Sequence, residues 1–455
     1  MARLAVGRPL AHALRRCLGL ALLLASAIAA PAHAWSGHTT CTREALSVMP
    51  ELAQARVKAE SLERFVMAEA PRLEALLREH EAWARANLPH YPARPAVLAF
   101  TTDATPAVPR FLQALRLNGE SRLKLFVQLQ PGQVPEGKAR MPWVDITALK
   151  SGSAARENTY VLLDEGEAVP VIDVVASASN EPDYGLDIGL FVDNGTAQGR
   201  RFGFGTQPFG SPSVDYSSQA PFHMGFFHEG RIVNTAAAFL QRTHPESRIA
   251  LFSALSRHAF ATGHDYWGWR FAGWAMHYVQ DLTQPYHARV LPGLSTLRML
   301  WINGLDMAGF PSAKNDAIHL VTNRHIVLEN YQLRRVNGAT ETQQRDDPLL
   351  AALRDTTRDA ELHVYTPAAT RAVVSAESAA SADALDAQLA RSFPARYVDD
   401  PAQPLGNEAD LLDMAQIARE APPAEQAALE RQLAELLGRY GRYTRAVVRA
   451  LMPPR

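Results

Sequence analysis

Only two cysteines occur among the 455 residues, Cys17 and Cys41. That excludes a disulfide-stapled scaffold and a metal site built from several thiolates. An excess of positive charge is missing as well. The 46 Lys and Arg stand against 47 Asp and Glu, so composition does not describe a nucleic-acid-coating surface. The apolar run at residues 18–30 holds 13 residues, fewer than the roughly 18 that a permanent membrane helix needs, and no later run reaches that length. No Gly-x-Ser-x-Gly elbow is present, which argues against a serine lipase, and no Gly-Lys-Ser/Thr phosphate loop or internal repeat occurs.

What is present begins with Arg3, Arg8, Arg15 and Arg16, then the apolar run, then Ala32-His33-Ala34. This order predicts a secretory signal peptide over residues 1–34, cleaved after Ala34. Removing 34 of 455 residues leaves 421, running from Trp35 to Arg455 and expected in the periplasm or outside the cell. The four leader arginines come out of the 46 basic residues, leaving 42 against 47 acids, a balance near −5. Cys17 would leave too, so Cys41 has no intramolecular partner, and 13 of the 15 histidines remain.

Along the chain, a helical pattern starts near Thr39, and a second repeats apolar residues at Leu62, Phe65, Val66, Leu73, Leu76 and Leu77 until Pro89, Pro92 and Pro95 break it. Residues 96–180 read as a partly β insertion. Leu123, Leu125, Val127 and Leu129 alternate, and 160–163 and 169–175 are β-like runs. The glycine-, serine- and proline-rich stretch 194–220 reads as a surface loop. Helical spacing returns at 231–331 and again in extra C-terminal helices at about 340–455, where Leu429, Leu433, Leu436, Tyr440, Val447 and Leu451 predict a core-packing helix opened by Pro422 and Pro423. The expected fold is mainly α.

The chemistry concentrates in His277-x-x-x-Asp281-x-x-Gln284-Pro285-x-His287. A spacing of four places His277 and Asp281 on one helix face, where both can grip one cation, and Pro285 breaks the helix so that His287 can turn inward. Trp267, Phe271, Trp274 and Tyr278 form an apolar stripe that buries this helix, and a buried His and Asp need a partner. His325 and Glu329 repeat the four-residue spacing. Imidazole and carboxylate without thiolate suit zinc in a hydrolytic site. His264 reads as a helix-start residue, and His258 and His319 as structural.

The segment resembles the His-x-x-x-Asp-x-x-Gln-Pro-x-His signature of the superfamily that contains bacterial zinc-dependent phospholipases C and fungal single-strand-specific nucleases. The chain is similar to it also in the Trp after the cleavage site, Trp35, and in an early His, His38. Glu-Pro-Asp183-Tyr and Ala220-Pro221-Phe222-His223 resemble the family's ligand Asp and His segments. The resemblance implies a multi-helix bundle of that type holding up to three zinc ions. Asp183, His223, His277 and Asp281 would hold one. Trp35, through its freed amine and carbonyl oxygen, would hold a second with His38 and Asp281, and His287, His325 and Glu329 a third. Asp281 would bridge the close pair. Asp187 and His228 are the alternates for Asp183 and His223. The spacings at His38 and at Asp183 depart from the compact family pattern, and no β-sandwich lipid-docking tail is visible.

The resemblance implies phosphodiester hydrolysis by a metal-activated water, with Asp183 as the catalytic base. Phospholipase C-like cleavage of a phospholipid, with transient membrane-surface contact, is the leading expectation because the His-x-x-x-Glu pair resembles that branch. A single-strand nuclease is the alternative, and would use Phe222, Phe226, Phe227 and Tyr286 as stacking platforms. An exported, non-catalytic zinc-binding protein is the third reading.

Overall fold

The structure, a computed structural model, describes residues 35–149, 153–207, 218–406, 409 and 411–453. The expected signal peptide and part of the glycine-rich stretch lie outside the described residues. The chain is mainly helical with two small antiparallel sheets. In chain order, α1 (His38–Leu46), β1 (Arg56–Lys58), α2 (Leu62–Asn87) and α3 (Ala107–Ala114) precede β2 (Phe126–Gln128), β3 (Arg140–Met141), β4 (Tyr160–Leu162) and β5 (Ala168–Pro170). Then come α4 (Val171–Ala178), α5 (Ala220–His223), α6 (Arg231–Ala236), α7 (Pro245–Ala261), α8 (Asp265–Asp281), α9 (Pro285–Ala288), α10 (Thr296–Met307), α11 (Ser312–Glu341), α12 (Pro348–Arg354), α13 (Ala376–Ser392) and α14 (Pro423–Leu451).

Helix α8 is the axis of the fold: every residue from Tyr266 to Asp281 is buried. A helix apolar on most of its circumference can stay helical only if other elements cover it all round. Here α7, α4 and α14 do so. Gly273 permits the closest approach. A Cβ there would lie 2.6 Å from Ala178 Cβ and 2.8 Å from the Val175 carbonyl oxygen, so only glycine lets α4 lie directly on α8.

The insertion differs from expectation at its end. Strand β5 pairs with β1, and β2-β4-β3 form the second sheet with Val127 opposite Val161. The run expected as a strand at 169–175 instead turns helical at Val171. Val171, Val174, Val175 and Ala178 are buried at helical spacing, against α1 and α8. That burial outweighs the modest helix penalty of β-branched residues. The stretch expected as a plain surface loop also differs, because Phe202, Phe204 and Gln207 are buried.

The C-terminal helices are not an appendage. Helix α14 packs on α1, α8, α12 and α13, and the predicted stripe from Leu429 to Leu451 is buried. Arg445, fully buried, donates to the carbonyls of Leu353 and Ala45 and pairs with Asp359 at 2.7 Å. Of the histidines read as structural, His258 meets Glu69 of α2 at 2.9 Å and His319 contacts the Pro401 carbonyl. His264 precedes α8 without capping it and pairs with Glu60 at 2.9 Å.

Candidate metal centre

Helix geometry sets the first pair: His277 Nε2 lies 3.1 Å from Asp281 Oδ2, both side chains fully buried. Because α4 lies so close to α8, the Ser179 carbonyl accepts from His277 Nδ1 at 2.7 Å. A carbonyl can only accept, so Nδ1 carries a proton and Nε2 is the ring atom turned toward the carboxylates. His38, at the start of α1, is fixed in the same way. Its Nδ1 donates to Gln280 Oε1 at 2.7 Å, while Gln280 Nε2 donates to Thr42 Oγ1 at 2.8 Å and Thr444 Oγ1 at 2.9 Å. The two threonines set the amide orientation, and the amide sets the imidazole. Tyr440 of α14 adds a hydroxyl 3.2 Å from the same Nδ1.

Around this pair the expected residues converge. His38 Nε2 is 3.3 Å from Asp281 Oδ1 and 3.8 Å from Asp183 Oδ2, and His277 Nε2 is 3.6 Å from Asp183 Oδ1. His223 Nδ1 is 2.7 Å from Asp281 Oδ2 and 3.0 Å from His277 Nε2. Two overlapping groups result: His38 with Asp183 and His277, and His223 with His277 and Asp281. His38 lies near both carboxylates, 3.3 Å from Asp281, with which the resemblance groups it, and 3.8 Å from Asp183. A third buried group joins His287, His325 and Glu329. His325 Nε2 is 2.7 Å and His287 Nε2 3.9 Å from Glu329 Oε1, to which Gln284 also donates at 3.1 Å. His287 Nδ1 donates to the His223 carbonyl at 3.1 Å, so the turn after Pro285 ties the third group to α5. Trp35 is buried beside the end of α8, its indole donating to Thr283 at 2.8 Å.

The alternates fall elsewhere. Asp187 is buried but already partnered: Arg248 meets it at 2.5 Å, Tyr278 donates to it at 2.6 Å, and His223 Nε2 lies 3.5 Å away. It therefore orients the back of His223, as a carboxylate behind a ligating imidazole does. His228 is exposed and contacts the Arg371 carbonyl.

The residues fit a cation. His38 Nε2 and Asp281 Oδ1 are buried without a hydrogen-bond partner, a costly state for polar atoms in an interior unless an ion satisfies them. Burial works against charge on His223, yet Asp187 and Asp281 outweigh it and raise its pKa to about 10. Burial likewise opposes charge on His38, and Asp281 prevails and raises its pKa. Asp281 is held well below the carboxylate range, its burial overcome by His277 and the neighbouring imidazoles. Asp183 moves the other way, raised mainly by burial. Its side chain is 18% exposed where those of His38, His277 and Asp281 are 0%, so solvent reaches the group on the Asp183 side.

Gln280, Thr42, Thr444 and Arg248 were not among the sequence expectations, and Tyr440 was expected only as a core position. For Gln280 a signal existed, since an amide next to Asp281 on a buried helix requires partners. Searches against family models, curated proteins and solved structures give no match.

Proposed function

We propose that the protein is an exported, zinc-dependent phosphodiester hydrolase of the phospholipase C-like type. The observation that carries this reading is the sharing of Asp281 between imidazoles on α1, α5 and α8, with a third His/His/Glu group tethered to α5 through His287. Nitrogen and oxygen donors without thiolate match the preference of zinc in hydrolytic sites. Bound zinc would supply charge neutralisation for a phosphodiester and lower the pKa of water toward neutrality. Asp183 is the candidate base: its edge faces solvent beside the buried imidazoles, so it can take the proton of an attacking water at a carboxylate oxygen. Asp281 stays ionised and His277 turns its Nε2 inward, tasks of binding and orientation rather than proton transfer.

The phospholipid reading is preferred to single-strand nucleic acid because the stacking platforms are occupied. Phe222, Phe226 and Tyr286 are buried, and Phe227 lies under Arg371 at 4.3 Å. Protein beginning at Trp35, loaded with zinc, should release the headgroup from phosphatidylcholine faster than it degrades single-stranded DNA. His277→Ala, which removes a ligand common to two groups, is the inactive control. Preference for DNA would favour the nuclease, and tight zinc without turnover of either would favour a binding protein.

A further inference from the structure

Helix α10 is apolar on two opposite sides. Met299, Ile302 and Asp306 face the interior, and Lys314 neutralises Asp306 at 2.8 Å. At about 100° per residue, Leu297, Leu300, Trp301, Gly304 and Met307 fall on one arc of roughly 120° on the other side. Leu297 is 79%, Trp301 50% and Met307 72% exposed, and Phe310, in the turn that follows, is 64% exposed. Ile232 of the adjoining α6 is 58% exposed. Single exposed apolar side chains need no explanation, but a contiguous set along one face marks a contact surface.

We propose that this face docks on an anionic phospholipid bilayer. The choice of occupant rests on the phosphodiesterase reading above; the existence of the face does not. Two features favour lipid. First, Leu297, Trp301, Met307 and Phe310 project from one helix face and the turn after it with 50–79% of each exposed, suited to insertion among headgroups. Second, the charge at its edge is positive. Arg298 lies over the Trp301 ring at 4.3 Å, and neither Arg298 nor Arg231 is in an ion pair among the described residues. Trp with adjoining Arg suits the headgroup level, where one part of the pair is apolar and the other meets phosphate. No helix among the described residues is long and apolar enough to cross a membrane. The same segment joins the third metal group, since α10 lies between His287 of α9 and His325 and Glu329 of α11.

The test uses zinc-loaded protein beginning at Trp35 and vesicles of phosphatidylcholine and phosphatidylglycerol in equal parts. Leu297→Glu with Phe310→Glu should lower vesicle co-sedimentation at least about tenfold while leaving the melting temperature and turnover of a soluble choline phosphodiester unchanged. Arg298→Glu should remove the preference for vesicles containing phosphatidylglycerol. Absence of binding by the unaltered protein, or equal binding by the double variant, overturns the proposal. So does a double variant that instead dissociates an oligomer, which would assign the face to self-association. Vesicle binding lost in the variant, with no phosphodiester cleaved by the unaltered protein, would leave docking standing and remove the hydrolase reading.

Discussion

At the scale of single residues, two aspartates four positions apart have opposite characters. Asp183 is edge-exposed with a raised pKa, and Asp187 is sealed against Arg248 and Tyr278. Asp183→Asn, which keeps the shape but removes basicity, should leave the melting temperature within a few degrees and cut kcat by at least about 100-fold. Asp187→Asn strands a buried guanidinium and should instead destabilise the fold by about 3 kcal/mol, read by urea unfolding. If the larger loss of stability follows the Asp183 change, the roles are reversed. Thr444 tests the tautomer relay. Thr444→Val leaves one Gln280 donor unpaired and loosens the orientation of His38, so zinc affinity should fall about 10- to 100-fold with little change in the fold. The His277–Asp281 spacing made that pair legible in the sequence, because helical neighbours four apart are a local property. That Gln280 needs partners follows from its place on a buried helix, but which partners was not legible, because they are 238 and 164 residues distant.

At the scale of elements, contacts between helices overrode local preference. The run from Val169 to Val175 has the composition of a strand, and no local signal told that its second part would be covered by α1 and α8. Gly273 is where that packing can be probed. Gly273→Ala would force α4 off α8, costing about 1–3 kcal/mol by overpacking, and should lower zinc affinity in parallel because the Ser179 carbonyl moves with α4. Loss of stability with unchanged affinity would mean that the Ser179–His277 hydrogen bond does not depend on this approach. The join of α14 to the segment after α12 gives a pH prediction. Burial alone would raise the Asp359 carboxyl, but hydrogen bonds from Arg445 and Arg449 outweigh it and hold its pKa below the ordinary value. A depressed pKa stabilises the folded state above the unfolded value of about 3.9, and this is lost as pH falls through the folded value. Asp359→Asn should therefore be clearly less stable than the unaltered protein at pH 6, and the gap should narrow at pH 3.

At the scale of the whole molecule, the mainly helical class and the buried C-terminal stripe were legible from apolar periodicity. The place of the C-terminal helices against the metal centre was not, because periodicity reports which face is buried and not what covers it. The N-terminal region carries the remaining prediction. Trp35 is anchored beside the end of α8. If its freed amine completes the centre, protein beginning at Trp35 should bind more zinc and hydrolyse faster than protein carrying one additional residue before it. Equal zinc content and equal rates would remove the amine from the mechanism.

The amide of Gln280 is clasped between Thr42, near the start of the described chain, and Thr444, near its end. The clasp therefore closes only when both ends of the described chain are in place. Until α14 has docked, half of the clasp is missing, and the His38 imidazole lacks part of what orients it. A polypeptide truncated before α14 should therefore hold a metal ion less tightly than the whole chain, as metal titration of the two would show.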